Sequence, residues 1–281
     1  MSKVALIQLP YDSGHFEARM GRGPRALLEG GLADALRKAG HAVEIASVRL
    51  PEGFHAEGRA LVELQRGAVA QVREALQRDA RPLLLSGNCG TAALTALAAL
   101  GTTTTGVIWF DAHGDFNTPE TSGSGFLDGM CLAIATGQCW LKLAQRLESF
   151  APIPMEHVVQ IGVRDLDAEE ARQLERSGIT RIASRELARL PEAVQQLSAR
   201  VAQVYVHLDA DVLDTSEGRA NSYASTGGLR ADELYAAIKL IGATTRIAAA
   251  SIASYDPEAD CDGRIGGVLR EAAVLLLHNQ T

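Results

Sequence analysis

Asp111-Ala112-His113-Gly114-Asp115-Phe116-Asn117 follows directly on Thr105-Gly106-Val107-Ile108-Trp109-Phe110. The leading apolar run reads as a buried strand. Side chains alternate along extended backbone, so residues i, i+2 and i+4 turn the same way. Asp111, His113 and Asp115 can therefore converge at the strand's end. The pattern returns in Val204-Tyr205-Val206-His207-Leu208-Asp209-Ala210-Asp211, a second apolar strand ending in a carboxylate pair. Carboxylates gathered this closely repel and are driven toward protonation unless a cation neutralises them. Oxygen and imidazole donors suit a hard divalent ion, manganese above others. One such motif is also a common polar loop, but two of them at apolar strand ends point to a shared metal centre.

Working outward, residues 4–9 read as a first strand, followed by a glycine-rich polar loop from Tyr11 to Gly23. Pro24 suits the first turn of a helix that runs to Gly40. Val43 to Val48 is a strand, 58–79 a long amphipathic helix, and Leu83 to Ser86 a strand that ends in Gly87-Asn88-Cys89-Gly90. A helix follows to Leu100, then the strand of the metal motif. Helices are expected at 128–137, 140–148, 168–177, 185–202, 229–241 and 264–278. Strands are expected at 158–163, 179–183 and 247–254, besides the one carrying Asp209. This alternation predicts an α/β fold, a parallel sheet with helices on both faces, as one domain over 1–281. Ligands of such sheets bind beyond the carboxyl ends of the strands. Cys89, Asp111 to Asp115, and Asp209 with Asp211 all fall there.

The chain has 281 residues, 47% of them apolar, and a formal net charge of −7. It has no basic run, which argues against a nucleic-acid partner. Cys89, Cys131, Cys139 and Cys261 make no Cys-x-x-Cys pair, which fits a reducing compartment. The apolar stretch after Met1-Ser2-Lys3 is too short for a signal or a membrane span, so a cytoplasmic protein is expected. His15, His41, His55 and His278 are placed in loops or at the surface.

The residues resemble the ureohydrolase family, which includes arginase, agmatinase and formiminoglutamase, over nearly the whole chain. The resemblance is carried by Gly23-Pro24-x-x-Leu27, by Asp111 to Pro119, by Asp209-Ala210-Asp211-Val212-Leu213-Asp214, and by Gly227-Gly228-Leu229. It implies a three-layer arginase-like fold with an eight-stranded, mostly parallel sheet. It also implies two manganese ions bridged by hydroxide, hydrolysis of a guanidino or amidino compound, and a homo-oligomer, either trimer or hexamer. Asp111 and Asp209 would bridge the metals. Cys89 and Asp115 would complete one site, and His113 and Asp211 the other. Asn117, Ser124, Asp167 and Glu170 match positions that contact the amino-acid end of the substrate. That favours an arginine-like or N-hydroxyarginine-like substrate.

Four positions depart from the family pattern. Cys89 stands where a metal-ligating His is usual, Phe126 replaces a substrate contact, and Asp128 replaces a proton-handling His. Ser254 replaces the Glu that grips the guanidinium. Cys89 reads either as a soft ligand, better suited to zinc or iron than manganese, or as a small buried thiol, in which case one metal site is weak. His207, two residues before Asp209, faces the same side about 7 Å back. It reads either as a proton donor paired with Asp128 or as a structural strand histidine. A formimino or other amide substrate, or a ligand-binding homologue without turnover, are the competing functions.

Overall fold

A computed structural model describes residues 2–51 and 56–278. His55, expected in a loop, lies outside the described residues. Eight strands form one sheet: β1 Ser2–Leu9, β2 His41–Ser47, β3 Ala80–Ser86, β4 Thr105–Phe110, β5 Val158–Ile161, β6 Thr180–Ile182, β7 Gln203–Asp209 and β8 Ile247–Ala253. Their order is β2-β1-β3-β8-β7-β4-β5-β6, and all the pairings are parallel. The last strand in sequence is thus inserted at the centre. Its neighbours β3 and β7, with β4 beyond, end beside it.

Alternation along the central strands divides the core into two layers. Ile108 and Phe110 of β4 join Val206 and Leu208 of β7 on one face. That face packs on α1 Gly23–Glu29, α2 Leu32–Lys38, α8 Leu190–Ser198, α9 Ala231–Thr244 and α10 Arg264–Leu276. Val107, Trp109 and Tyr205 point to the other face. There they meet α3 Glu57–Gln77, α4 Cys89–Leu100, α5 Cys131–Ala135 and α7 Ala168–Arg176. A short helix, α6 Leu141–Ala144, lies between α5 and α7 in the chain. Helices on both faces of an eight-stranded parallel sheet make the three layers.

Several elements differ from the sequence reading. The single helix expected from Pro24 to Gly40 is two, because Gly31 turns left-handed (φ +91°) as the N-cap of α2. Residues 128–137 and 140–148 hold only a 3-10 turn at Asp128–Met130 and the short helices α5 and α6. Left-handed Gly137 and Trp140 interrupt them. The helix expected over 185–202 is a 3-10 stretch at Ser184–Arg189 followed by α8. The helix expected from Leu229 begins at Ala231. The polar loop after β1 contains a small hairpin, Tyr11–Asp12 against His15–Phe16. His41 is not in a loop: it opens β2, buried, with Nδ1 2.6 Å from Ser2 Oγ.

Candidate metal centre

The carboxyl ends of β3, β8, β7 and β4 lie side by side and deliver the polar residues to one place. Asp111 follows β4 and is fully buried. Its Oδ1 accepts the His113 backbone N–H at 2.7 Å, and its Oδ2 accepts the Trp109 indole N–H at 3.0 Å. Asp209 ends β7; its Oδ1 accepts the Asp211 N–H at 2.8 Å. Asp211 Oδ2 accepts from Asn221 Nδ2 at 3.1 Å. His113 Nδ1 lies 3.3 Å from Asp111 Oδ1 and 3.5 Å from Asp211 Oδ2. Cys89, the first residue of α4, donates its thiol to Asp209 Oδ2 at 2.8 Å and sits 3.2 Å from Ser254 Oγ.

Two sets of donor atoms result, each with every atom within 4.8 Å of the others: Asp111, His113 and Asp211, and Cys89, Asp111, His207 and Asp209. Asp111 belongs to both; Asp209, expected to bridge as well, belongs to the Cys89 set alone. Asp115 belongs to neither. Its backbone is left-handed (φ +50°), a conformation Asp tolerates better than most residues. Its Oδ2 accepts the Cys131 thiol at 3.0 Å, and it lines the same cavity.

The electrostatics show a demand for positive charge. Burial, with the charge of Asp211 added, raises Asp111 and Asp209 above the usual carboxylate range. Burial drives Asp115 well up, with Asp111 and Asp128 adding to it. Burial opposes a charge on His113, but the carboxylates of Asp111 and Asp211 overcome it and push the imidazole up to about 12. Burial would raise Asp211 too, yet the His113 hydrogen bond and charge bring it down to about 2. A proton on His113 thus does part of what a divalent ion does fully, and the oxygen-rich donor set fits such an ion.

A cavity of about 450 Å³ opens over these groups. Cys89, His113, Asp115, Asp209 and Asp211 line it, as do Asn117, Ser124, Asp167 and Glu170. Asp167 Oδ2 accepts from Asn117 Nδ2 at 3.1 Å. Both Glu170 oxygens are engaged by backbone, Oε1 by the Phe116 N–H at 2.8 Å and Oε2 by the Asp167 N–H at 3.4 Å. Glu170 therefore fastens the metal loop to α7 as well as facing the cavity. Phe126 and Tyr223 line it too, their rings stacked with centroids 5.9 Å apart.

Of the two readings of His207, the pair with Asp128 is not made, and the ring bonds locally as a strand histidine. Register sets His207 of β7 opposite Ser251 of β8, so its Nδ1 lies 2.8 Å from Ser251 Oγ and 3.2 Å from the Tyr205 hydroxyl. Burial lowers His207 to about 3, which leaves the ring neutral. Asp128 is held at the start of α4: Oδ1 accepts the Gly90 N–H at 2.8 Å, and Oδ2 accepts Cys89 N–H and Asn88 Nδ2, each at 3.0 Å. Burial pushes it up to about 7 against those donors. It lines the cavity, whereas His207 lies fully buried behind the carboxylates.

The arginase family profile matches residues 2–277. The chain belongs to the arginase family. It is a hydrolase of that family. It is 32% identical to an arginase of Bacillus caldovelox over 278 residues, covering 92% of this chain and 93% of that one. It is 30% identical to an arginase of Bacillus subtilis over 289 residues, covering 98% and 97%. The crystal structure of arginase from Bacillus subtilis superposes with a TM-score of 0.89 at 28% identity, over 99% of each chain. Among the described residues no helix is long and apolar enough to cross a membrane.

Sequence reasoning missed several supporting residues. Trp109 was legible, since it stands two before Asp111 on one strand face. Asn221, Cys131 and Ser251 come from separate elements, and no local pattern marks them. Arg164 was also missed. Its guanidinium donates to the carbonyls of Asp211 and Ser225 at 2.8 and 2.9 Å and to those of Thr226 and Gly162 at 3.0 Å. It thereby pins the loop after β7 to the one after β5.

Proposed function

We propose that this chain hydrolyses a C–N bond in a guanidino or amidino compound with an amino-acid end, arginine-like or N-hydroxyarginine-like. The observation that carries this reading is the placement of two overlapping donor sets beneath a cavity also lined by Asn117, Ser124 and Asp167. Asp111, His113, Asp209 and Asp211 would hold two divalent ions, manganese in this reading, with Cys89 and Asp115 completing the less oxygen-rich site. Bound there, the ions would supply an activated water and a Lewis acid at the substrate's trigonal carbon. Asn117, Ser124 and Asp167 would orient the amino-acid end. Asp128, at the cavity wall beside Cys89, is the proton-handling group of the reading.

Ser254 bears on the choice of substrate. It lines the cavity with a neutral hydroxyl in a left-handed backbone (φ +60°), so no carboxylate stands at that position to pair with a guanidinium. A less basic group, such as an N-hydroxyguanidine, loses less there than arginine does. A homo-oligomer and a cytoplasmic location belong to the same reading and rest on the family resemblance and the unpaired cysteines.

The test is turnover of arginine, N-hydroxyarginine and a formimino amino acid with added manganese, zinc or iron. Product release from a guanidino substrate is expected, faster for the N-hydroxy compound. Release from the formimino compound alone would move the chain to that substrate class. Binding without turnover of any of them would leave a ligand-binding homologue.

A further inference from the structure

We infer that His207 Nε2 is itself a metal ligand, completing a four-donor site with Cys89, Asp111 and Asp209 in the place that the proposed function gives Asp115. The site takes a borderline divalent ion of the zinc or cobalt class. This rests on the metal-centre part of the proposed function and not on its substrate.

His207 is fully buried, and its Nε2 has no hydrogen-bond partner among the described residues. Such an orphan is unusual in a folded interior. A ring nitrogen of His207, the Cys89 sulfur and an oxygen each of Asp111 and Asp209 lie within 4.8 Å of one another, and with Nδ1 taken by Ser251, Nε2 is the nitrogen left to serve that cluster. Two ligands on one tetrahedral ion, each about 2.0–2.3 Å from it, stand about 3.3–3.8 Å apart. The donor atoms of the cluster, within 4.8 Å of one another, close on an ion with small side-chain shifts.

The ring is held to this aim from three sides. Nδ1 is engaged by Ser251 Oγ at 2.8 Å, and Ser251 Oγ by the Tyr205 hydroxyl at 2.6 Å. The Trp109 ring packs on it with centroids 4.0 Å apart and planes 32° from parallel. If Nδ1 carries the proton and gives it to Ser251, Nε2 presents a lone pair to carboxylates and a thiol, which a cation, or a proton on one of those groups, makes favourable. If Nε2 carries the proton, it is an N–H facing acceptors that it does not reach. A ligating imidazole ordinarily has this outer arrangement, with its second nitrogen bonded to a fixed partner. One imidazole, one sulfur and two carboxylates make a four-coordinate set suited to zinc or cobalt. The neighbouring set of Asp111, His113 and Asp211 holds no sulfur, so the two sites differ in the ion they prefer.

The experiment uses the full chain, stripped of metal and titrated with Co2+, with bound metal counted and the d–d spectrum recorded. The wild type is expected to bind two ions. His207→Gln should keep one and weaken the other by at least about 100-fold. Asp211→Asn should weaken the site that His207→Gln spares. X-ray absorption on zinc-loaded His113→Ala gives a second reading, since His207 is then the imidazole left in the donor sets. Imidazole scattering should persist in it and vanish in the double variant. A folded His207→Gln protein that binds two ions with wild-type affinity, or no imidazole scattering in His113→Ala, would overturn the assignment. A chain that turns over none of the guanidino compounds, yet loses metal in His207→Gln, would sink the substrate reading and leave this one standing.

Discussion

The Cys89 thiol donates a hydrogen bond to Asp209 Oδ2 at 2.8 Å. Burial, with the charge of Asp209 beside it, drives this thiol well above its ordinary pKa in the metal-free chain, and a soft sulfur suits zinc or cobalt better than manganese. Manganese should therefore fill the two sites unequally. Cys89→His should raise the manganese content of protein loaded in excess ion, since a neutral imidazole binds that metal better. Cys89 lines the cavity, so the larger ring has space to enter. A metal-to-protein ratio unchanged by the substitution would count against the idea.

Asp209 joins the cluster while its Oδ1 accepts the Asp211 N–H. Asp209→Asn keeps a carbonyl oxygen for that N–H and removes the charge. Elemental analysis should find metal lost from the site shared with Cys89, with activity reduced by about a hundredfold or more. Undiminished metal in a folded Asn variant would show that Asp209 is no ligand.

Asp128 accepts the backbone N–H groups of Cys89 and Gly90 at the start of α4. Asp128→Ala leaves both donors without their partner in the interior, which should cost about 2–4 kcal/mol in denaturant unfolding of the metal-stripped chain. Asp128→Asn, with one acceptor left, should cost less. Equal stability of the Ala variant and the wild type would remove the capping role.

What the sequence disclosed, and what it did not, follows from the range of each signal. The endings of β4 and β7 were legible because acidic residues and a histidine follow directly on apolar runs, although the strands stop at Phe110 and Asp209, and Asp211 is aimed by a 3-10 turn and not by strand alternation. Strand order was not legible. Nothing local tells that β8 enters between β3 and β7, yet that insertion is what sets Ser254 3.2 Å from Cys89 and Ser251 against His207. The pairing proposed for His207 failed for that reason. Its orientation followed from periodicity, but its partner was fixed by register with a strand over forty residues away. The helix over 24–40 failed differently. Apolar spacing continues across Gly30-Gly31, and only the backbone shows the left-handed break.

Asp214 gathers the loop that bears Gly227-Gly228. Its Oδ2 accepts both glycine N–H groups, at 2.6 and 3.0 Å, and its Oδ1 the Ser216 N–H at 2.9 Å. Bonds from Ser216 first, then from the two glycines, hold its pKa at about 2. The folded value lies below the unfolded one of about 3.9, so the stabilisation is complete above about pH 4 and is lost as pH falls toward 2. Asp214 is half-buried and its partners Ser216 and Gly227 are exposed, so solvent screens the effect and it is small, under about 1 kcal/mol. Asp214→Asn should flatten the acid limb of a stability–pH curve between 4 and 2. A Cβ on Gly228 would meet Val212 O at 2.5 Å and Asp214 N at 2.6 Å, both backbone. Gly228→Ala should therefore destabilise more than Asp214→Asn at neutral pH, and the reverse order would contradict the close approach.

Asp167 stands at the N-cap of α7, lines the cavity and accepts from Asn117 Nδ2 at 3.1 Å. In the proposed reading its charge meets the substrate's α-ammonium group. Asp167→Asn keeps the side chain's size, removes the charge and leaves one carbonyl oxygen for the cap and Asn117 to share. A hydrogen bond to a charged group is worth about 1.5–3 kcal/mol, so KM for an α-amino-acid substrate should rise about tenfold to a hundredfold. Because the contact is the same in ground and transition states, kcat should change little. A guanidino acid of the same length without the α-amino group has no charge to offer Asp167, and its KM should be insensitive to the substitution. The difference between the two substrates is the decisive measurement. A KM raised equally for both would mean that Asp167 shapes the cavity wall without reading the amino group, and would detach the amino-acid end of the substrate from this site.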